Sequence, residues 1–182
     1  MIIEVEKAIQ QFHNNCKIIG ESMMEDHNMV PMTIALLTQN EGKGFATAIA
    51  PDLGPLYNSK NQQVFVDAMH SIISSVKPIA IGFISEAWMV RRGKDDKHDF
   101  SIPIADQEDR IEVLMVQIET YKDTSLTVYE MIREGDQVKI QLDEEQSKIS
   151  KEKVSGLFSQ LLQENYEQFS KSIEENLKNN LN

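Results

Sequence analysis

The chain reads as an α+β protein: an antiparallel sheet of about six strands, made of a hairpin and a four-strand meander, with helices packed on one face. The element order is α-ββ-α-ββββ-α. Three observations predict it. Apolar residues recur at helical spacing in three stretches, one at each end and one near the middle. Runs rich in strand formers, separated by short polar turns, fill the remainder. At 182 residues, 41% hydrophobic and 26% charged, the chain suits one domain with a sizeable core. No repeat or linker divides it, so residues 1–182 are expected to form a single domain.

The first helix is carried by apolar residues at 2, 5, 9, 12 and 16, with Gly20 expected to close it and a loop over residues 21–28. Met29 to Thr38 and Gly44 to Ala50 form a hairpin around the polar, glycine-containing turn at residues 39–43. Pro51, Gly54 and Pro55 break the pattern. Asn58 or Ser59 then caps a helix with Val64, Phe65, Ala68, Met69, Ile72, Ile73 and Val76 on one face, stopped by Pro78. Ile79 to Val90 is an almost unbroken apolar run, the mark of an interior strand. Residues 91–105 are polar and irregular. Ile111–Thr120, Ser125–Arg133 and Gln137–Leu142 complete the meander through the turns at 121–124 and 134–136. A C-terminal amphipathic helix occupies residues 148–182 with a frayed end. Its stripe narrows to Tyr166, Phe169, Ile173 and Leu177, which suits either packing on the sheet or pairing with a second copy.

The net charge of −11 is uneven, with twelve acids against four bases between Asp106 and Glu145. Such a surface repels phosphate backbones and anionic lipid, because affinity for both comes from Lys and Arg. Direct nucleic-acid binding and membrane docking are therefore disfavoured, and no apolar run approaches the length of a membrane span. The acids favour solubility, a basic protein partner, or imitation of nucleic acid toward a protein that binds it. The single cysteine, Cys16, and acids near the N-terminus where a signal peptide carries positive charge point to the cytoplasm.

Familiar catalytic and metal signatures are missing. The histidines at 13, 27, 70 and 98 have neither HxH nor HExxH spacing. His13 and Cys16 lie one helical turn apart, which supplies half a tetrahedral site and no more. Neither a Walker loop nor a G-x-S-x-G elbow occurs. No metal or cofactor is expected.

One cluster stands out. In a strand, Ile84, Glu86, Trp88 and Val90 share a face, which sets an acid and the only tryptophan among apolar neighbours. An unpaired carboxylate there is costly. Either Arg110 or Arg133 supplies a counter-charge in a structural ion pair, or a small-ligand or hydrolase-like pocket exists. In that pocket Glu86 is base or clamp, Trp88 a stacking wall and Arg91 or Arg92 an anion holder, with Asp109 and Glu112 as further acids.

The segments Ile84–Met89 and Glu108–Leu114 resemble a pattern in small bacterial and phage-type α+β proteins. There an apolar strand ending Glu-Ala-Trp is followed by a loop and by Asp-Arg-x-Glu-Val-Leu opening the next strand. The resemblance implies a cytoplasmic α+β domain, often on phage or mobile DNA, and groups Glu86, Trp88, Arg110 and Glu112. It names no reaction. The leading expectation is a non-enzymatic interaction or accessory factor working through its acidic surface or by homodimerisation. A ligand pocket and a nucleic-acid mimic are the alternatives.

Overall fold

The computed structural model describes residues 2–40, 44–50, 62–91, 102–150 and 158–180. The elements are α1 (Ile2–His27), β1 (Thr33–Asn40), β2 (Gly44–Ile49), α2 (Gln62–Val76), β3 (Ala80–Val90), β4 (Arg110–Thr120), β5 (Thr124–Glu134), β6 (Gln137–Leu142), β7 (Lys148–Ser150) and α3 (Ser159–Asn180). A 3-10 turn, Ile104–Asp106, precedes β4. The α+β class and the order α-ββ-α-ββββ-α are as expected. The caps expected at Asn58 or Ser59 lie outside the described residues.

The strands pair antiparallel in the order β2-β1-β3-β4-β5-β6. The short strand β7 adds to the same edge of β5 that β6 uses further along: β6 pairs with residues 129–134 and β7 with residues 124–126. Between them the chain stays tied to β5, because Asp143 N donates to Val128 O and Val128 N donates to Ser147 Oγ. Residues 148–150, expected at the start of the last helix, are therefore strand. The helix itself is described from Ser159.

The helices cover both faces of the sheet, which corrects the expectation of one covered face. On one side α1 lays Val5, Ile9, Phe12, Cys16 and Met24 against Ala35 and Leu37 of β1, Ala80 and Ile84 of β3, and Leu114, Val116 and Ile118 of β4. On the other, Phe65, Met69 and Ile73 of α2, with Phe158 and Leu162, meet Ile34, Leu36 and Ile81. The physical reason is written in β3. Apolar residues at both parities, with Ile84 on one face and Ile81 and Phe83 on the other, leave water-hostile surface on both sides. Each fully buried Leu, Ile, Phe or Met contributes about 1.5–3 kcal/mol relative to exposure, so neither face is left bare.

Gly20 does not end α1, a second correction. A Cβ built there lies 3.1 Å from Ile84 Cγ2 and 3.3 Å from Leu114 Cδ2. The missing side chain is what lets the helix pass close over β3 and β4, offsetting the ~1 kcal/mol a mid-helix glycine costs. The helix stops instead at Asn28, whose φ of 52° and N–H to Met24 O at 2.8 Å make a left-handed cap. Lys77, at φ 51°, ends α2 the same way just before Pro78.

α3 joins the two sides. Its start contributes Leu162 to the α2 side, while Tyr166 and Phe169 pack against the α1 side. It thus crosses the end of the sheet where β3 begins. Asn165 Nδ2 donates to Pro78 O at 3.0 Å, and the Tyr166 and Tyr121 rings stack at 3.7 Å. Phe169 meets Phe45 edge-on at 5.6 Å. No helix among the described residues is long and apolar enough to cross a membrane.

Candidate ligand-binding site

The residues singled out in the sequence fall into two groups on opposite faces. Glu86, Trp88, Arg110 and Glu112 do come together. Trp88 pairs with Glu112, Val90 with Arg110, and Glu86 with Leu114 across the β3–β4 ladder, so their side chains share the α1 face. The Arg110 guanidinium lies over the indole, 4.7 Å from its centroid. Arg133, on β5, makes a charge-assisted bond from Nε to Glu112 Oε2 and sets Nη2 3.9 Å from Glu86 Oε2. The other Glu86 oxygen accepts the backbone N–H of Val30 at 2.6 Å. Glu86 thereby ties the link between α1 and β1 to the sheet, which is a structural use of its charge.

Arg91 belongs elsewhere, because one residue further along a strand is the opposite face. Its Nη2 binds Glu130 Oε2 at 2.8 Å and Asp143 Oδ2 at 2.7 Å. The Arg91 hydrogen bond holds the Asp143 carboxyl below the usual aspartate range. A pocket that combines Glu86 with Arg91 therefore does not form. Asp109 is exposed at the β4 entrance, and Arg92 lies outside the described residues.

The acids of residues 106–145 do not make one surface. Glu112 faces the α1 side, Glu119 and Glu130 face the other, and Glu134 is paired with Lys139 at 2.6 Å. Tyr166 and Phe169 are spent on contacts within the chain, and the side chains of Ile173 and Leu177 lie outside the described residues. Cys16 is wholly buried, and burial pushes its thiol up to about 12, which silences it as a nucleophile. His13 faces Ser125 Oγ at 3.3 Å instead of Cys16, and Asp123 accepts from Thr120 Oγ1. Among the described residues no group of three potential ligands could hold a metal.

The site that sequence reasoning missed lies under α2. In β4, Leu114, Val116 and Ile118 point to α1, so Met115, Gln117 and Glu119 must point to the opposite face. There they floor a cavity of about 200 Å³ together with Phe83 and Ser85 of β3. Phe65 of α2, Phe158 just before α3, and Met32 just before β1 form its walls. The Phe83 and Phe158 rings stack at 6.1 Å with 24° between planes, and His70 meets Phe158 edge-on at 5.6 Å. Glu119, only 3% exposed, is the acid in this apolar setting.

Two neutral donors hold that carboxyl. Gln117 Nε2 reaches Oε1 at 3.2 Å, and the backbone N–H of Phe158 reaches Oε2 at 3.4 Å. The second contact places the acid at the entry to α3, where a helix favours negative charge. Burial nevertheless dominates and raises the Glu119 pKa, against the lowering effect of the two hydrogen bonds. No other charge contributes to that shift among the described residues. Chemically, the cavity presents one carboxyl with acceptor capacity to spare, a hydroxyl, an amide and five apolar walls.

No family model, no curated protein and no solved structure matches this chain. The fold and the site therefore define it as an α+β protein with a two-sided antiparallel sheet and an acid-floored cavity.

Proposed function

We propose that this protein is a non-enzymatic binding protein whose ligand is a small, largely apolar molecule seated between the sheet and α2. The observation that supports this reading is a buried carboxyl opening onto a cavity walled by three aromatic rings and two methionines. A concave, mostly apolar site with a few polar groups and one perturbed acid is the usual form of a ligand pocket. A cytoplasmic setting, and the phage or mobile-element context of the resemblance, belong to the same proposal. The single cysteine, buried and unpaired, is consistent with the former.

The test is a thermal-shift screen with small aromatic and alkyl compounds, run on the parent protein and on Ser85→Leu, whose larger side chain narrows the cavity. A ligand at a hundred times its dissociation constant adds about 2.7 kcal/mol, or roughly 5–10 °C for a chain of this size. Compounds that shift the parent and not the folded Ser85→Leu protein support the reading. It fails if no compound shifts the parent, or if the variant responds equally.

A second reading, interaction with a protein partner, draws on Trp88. This ring stays 42% exposed beneath Arg110, near exposed Ile102 and Ile104 at the same end of the sheet. Tryptophan and arginine are enriched among residues that dominate protein interfaces. A pull-down in which Trp88→Ala loses a partner that Ser85→Leu retains would favour it.

A further inference from the structure

The cavity and its acid define a ligand class. We propose that the site takes a small arylalkyl or alkyl amine, bound as its ammonium ion with Glu119 as counter-charge and the aromatic walls around its apolar body. This rests on the cavity being a ligand site, as proposed above.

Three features of the site lead to an amine. First, among the described residues no cation reaches the carboxyl. Gln117 and the Phe158 amide, at 3.2 and 3.4 Å, are neutral donors. Arginines 91, 110 and 133 are engaged on Asp143 and Glu130, on Trp88, and on Glu112 and Glu86 respectively. An ionised acid so enclosed carries a desolvation penalty that a paired cation offsets. Second, two donors leave part of the carboxylate's four lone-pair sites open, and an ammonium group brings three donors to a point. Third, the remaining walls are the Phe65, Phe83 and Phe158 rings and two methionines, whose π faces and soft sulfurs tolerate a cation and its alkyl or aryl body.

The same features disfavour other classes. A carboxylate or phosphate ligand meets a like charge or must wait for Glu119 to be protonated. A neutral alcohol gains one ordinary hydrogen bond and leaves the charge uncompensated. The cavity of about 200 Å³ is below the roughly 300–1,000 Å³ of sites for drug-sized molecules, so the amine is a small one.

The experiment is isothermal titration of 2-phenylethylamine, 2-phenylethanol and phenylacetate into the parent, Glu119→Gln and Ser85→Leu proteins at pH 7.5. Circular dichroism checks that each variant is folded. The expected result is that the amine binds the parent at least about tenfold tighter than the alcohol, the scale of one charge-assisted hydrogen bond. Glu119→Gln should erase that preference while still binding the alcohol, and Ser85→Leu should bind neither. If the alcohol or the acid binds the parent as tightly as the amine and Ser85→Leu blocks it, the cavity is a ligand site and the amine assignment is overturned. If none of the three binds the parent, or Ser85→Leu binds them equally, both the assignment and the reading beneath it fall.

Discussion

Gly82 lies in β3 directly beneath α1, and its missing side chain sets how closely the helix and sheet approach. A Cβ built there stands 2.6 Å from Cys16 Sγ, with Phe12 Cζ at 3.5 Å and Ala35 Cβ at 3.7 Å. Non-bonded heavy atoms rest about 3.5–4.0 Å apart, so roughly 1 Å must be found in Gly82→Ala. The sulfur sits one bond beyond Cβ on a fully buried helix residue, and no long flexible chain is available to swing aside. Overpacking of this kind costs roughly 1–3 kcal/mol, against about 0.5–1 kcal/mol regained by replacing a strand glycine. The net expectation is a loss of about 1–2 kcal/mol. Cys16→Ala alone removes the sulfur and leaves a small void, costing ~1 kcal/mol. Combined, the new methyl enters the space the sulfur left. The double variant should then be more stable than the sum of the singles by ~1 kcal/mol or more. Urea unfolding followed by circular dichroism measures this, provided the slope is the same for all four proteins. Additive costs, or a neutral Gly82→Ala, would falsify the placement of α1 across β3.

Two titrating groups, one buried and one half-buried, give stability profiles of opposite sign. Glu119, raised by burial, contributes stability that is present below its unfolded pKa and lost as pH rises through its folded one. Among the described residues it meets Gln117 and the Phe158 amide, with His70 against the Phe158 ring. Glu119→Gln should therefore raise the unfolding midpoint more at pH 8 than at pH 4.5; an equal gain at both would contradict the burial argument. His13 is lowered mainly by burial, with Asp123 opposing and Lys17 assisting, so its contribution is lost as pH falls below about 6.5. His13→Asn should flatten that acid-side loss, and an unchanged slope between pH 7 and 5 would remove His13 as its source. Glu86→Ala strips the Val30 N–H of its 2.6 Å acceptor and should cost about 1–3 kcal/mol, with faster amide exchange at Val30. Glu86→Gln, which keeps an oxygen there, should cost about half as much or less; equal losses would mean that charge opposite Arg133 matters more. Tyr166→Ala breaks the stack on Tyr121 and should destabilise by about 1–2 kcal/mol with no change in oligomeric mass by light scattering. A drop in mass with stability intact would assign the ring to a subunit contact instead.

Much of the architecture was legible because period and punctuation agreed. The β3–β6 meander follows from strand runs joined by turns as short as Glu134 to Gln137, and α2 ends where Pro78 says it must. Gly20 misled because a glycine in a helical pattern has two meanings, a left-handed stop or a close approach. Only the positions of Ile84 and Leu114 decide between them. The crossing of α3 over the end of the sheet was hidden because a stripe of Leu162, Tyr166 and Phe169 shows which side is apolar and not how many surfaces it touches. Strand alternation sets Glu86 and Trp88 on one face, and the β3–β4 register brings Arg110 and Glu112 beside them, a grouping that in the sequence came from the resemblance alone. Arg91 was grouped with Glu86 although an odd number of positions separates them, so alternation carried one residue past β3 already sets it on the opposite face, beside Glu130.

Glu119 was within reach of the same reasoning. β4 carries Leu114, Val116 and Ile118 at even positions and Val113 and Met115 at odd ones, so both of its faces demand cover. β3, beside it, makes the same demand. A sheet whose two central strands are apolar on both sides needs helices on both sides, and three helices were already in hand. Gln117 and Glu119, continuing the odd series, must then lie beneath a helix and not in solvent. An acid in that position needs a cation, a proton or a ligand. The polar residues that interrupt one face of an otherwise two-sided apolar strand are thus the signal that locates this cavity, and they depend on no neighbouring motif.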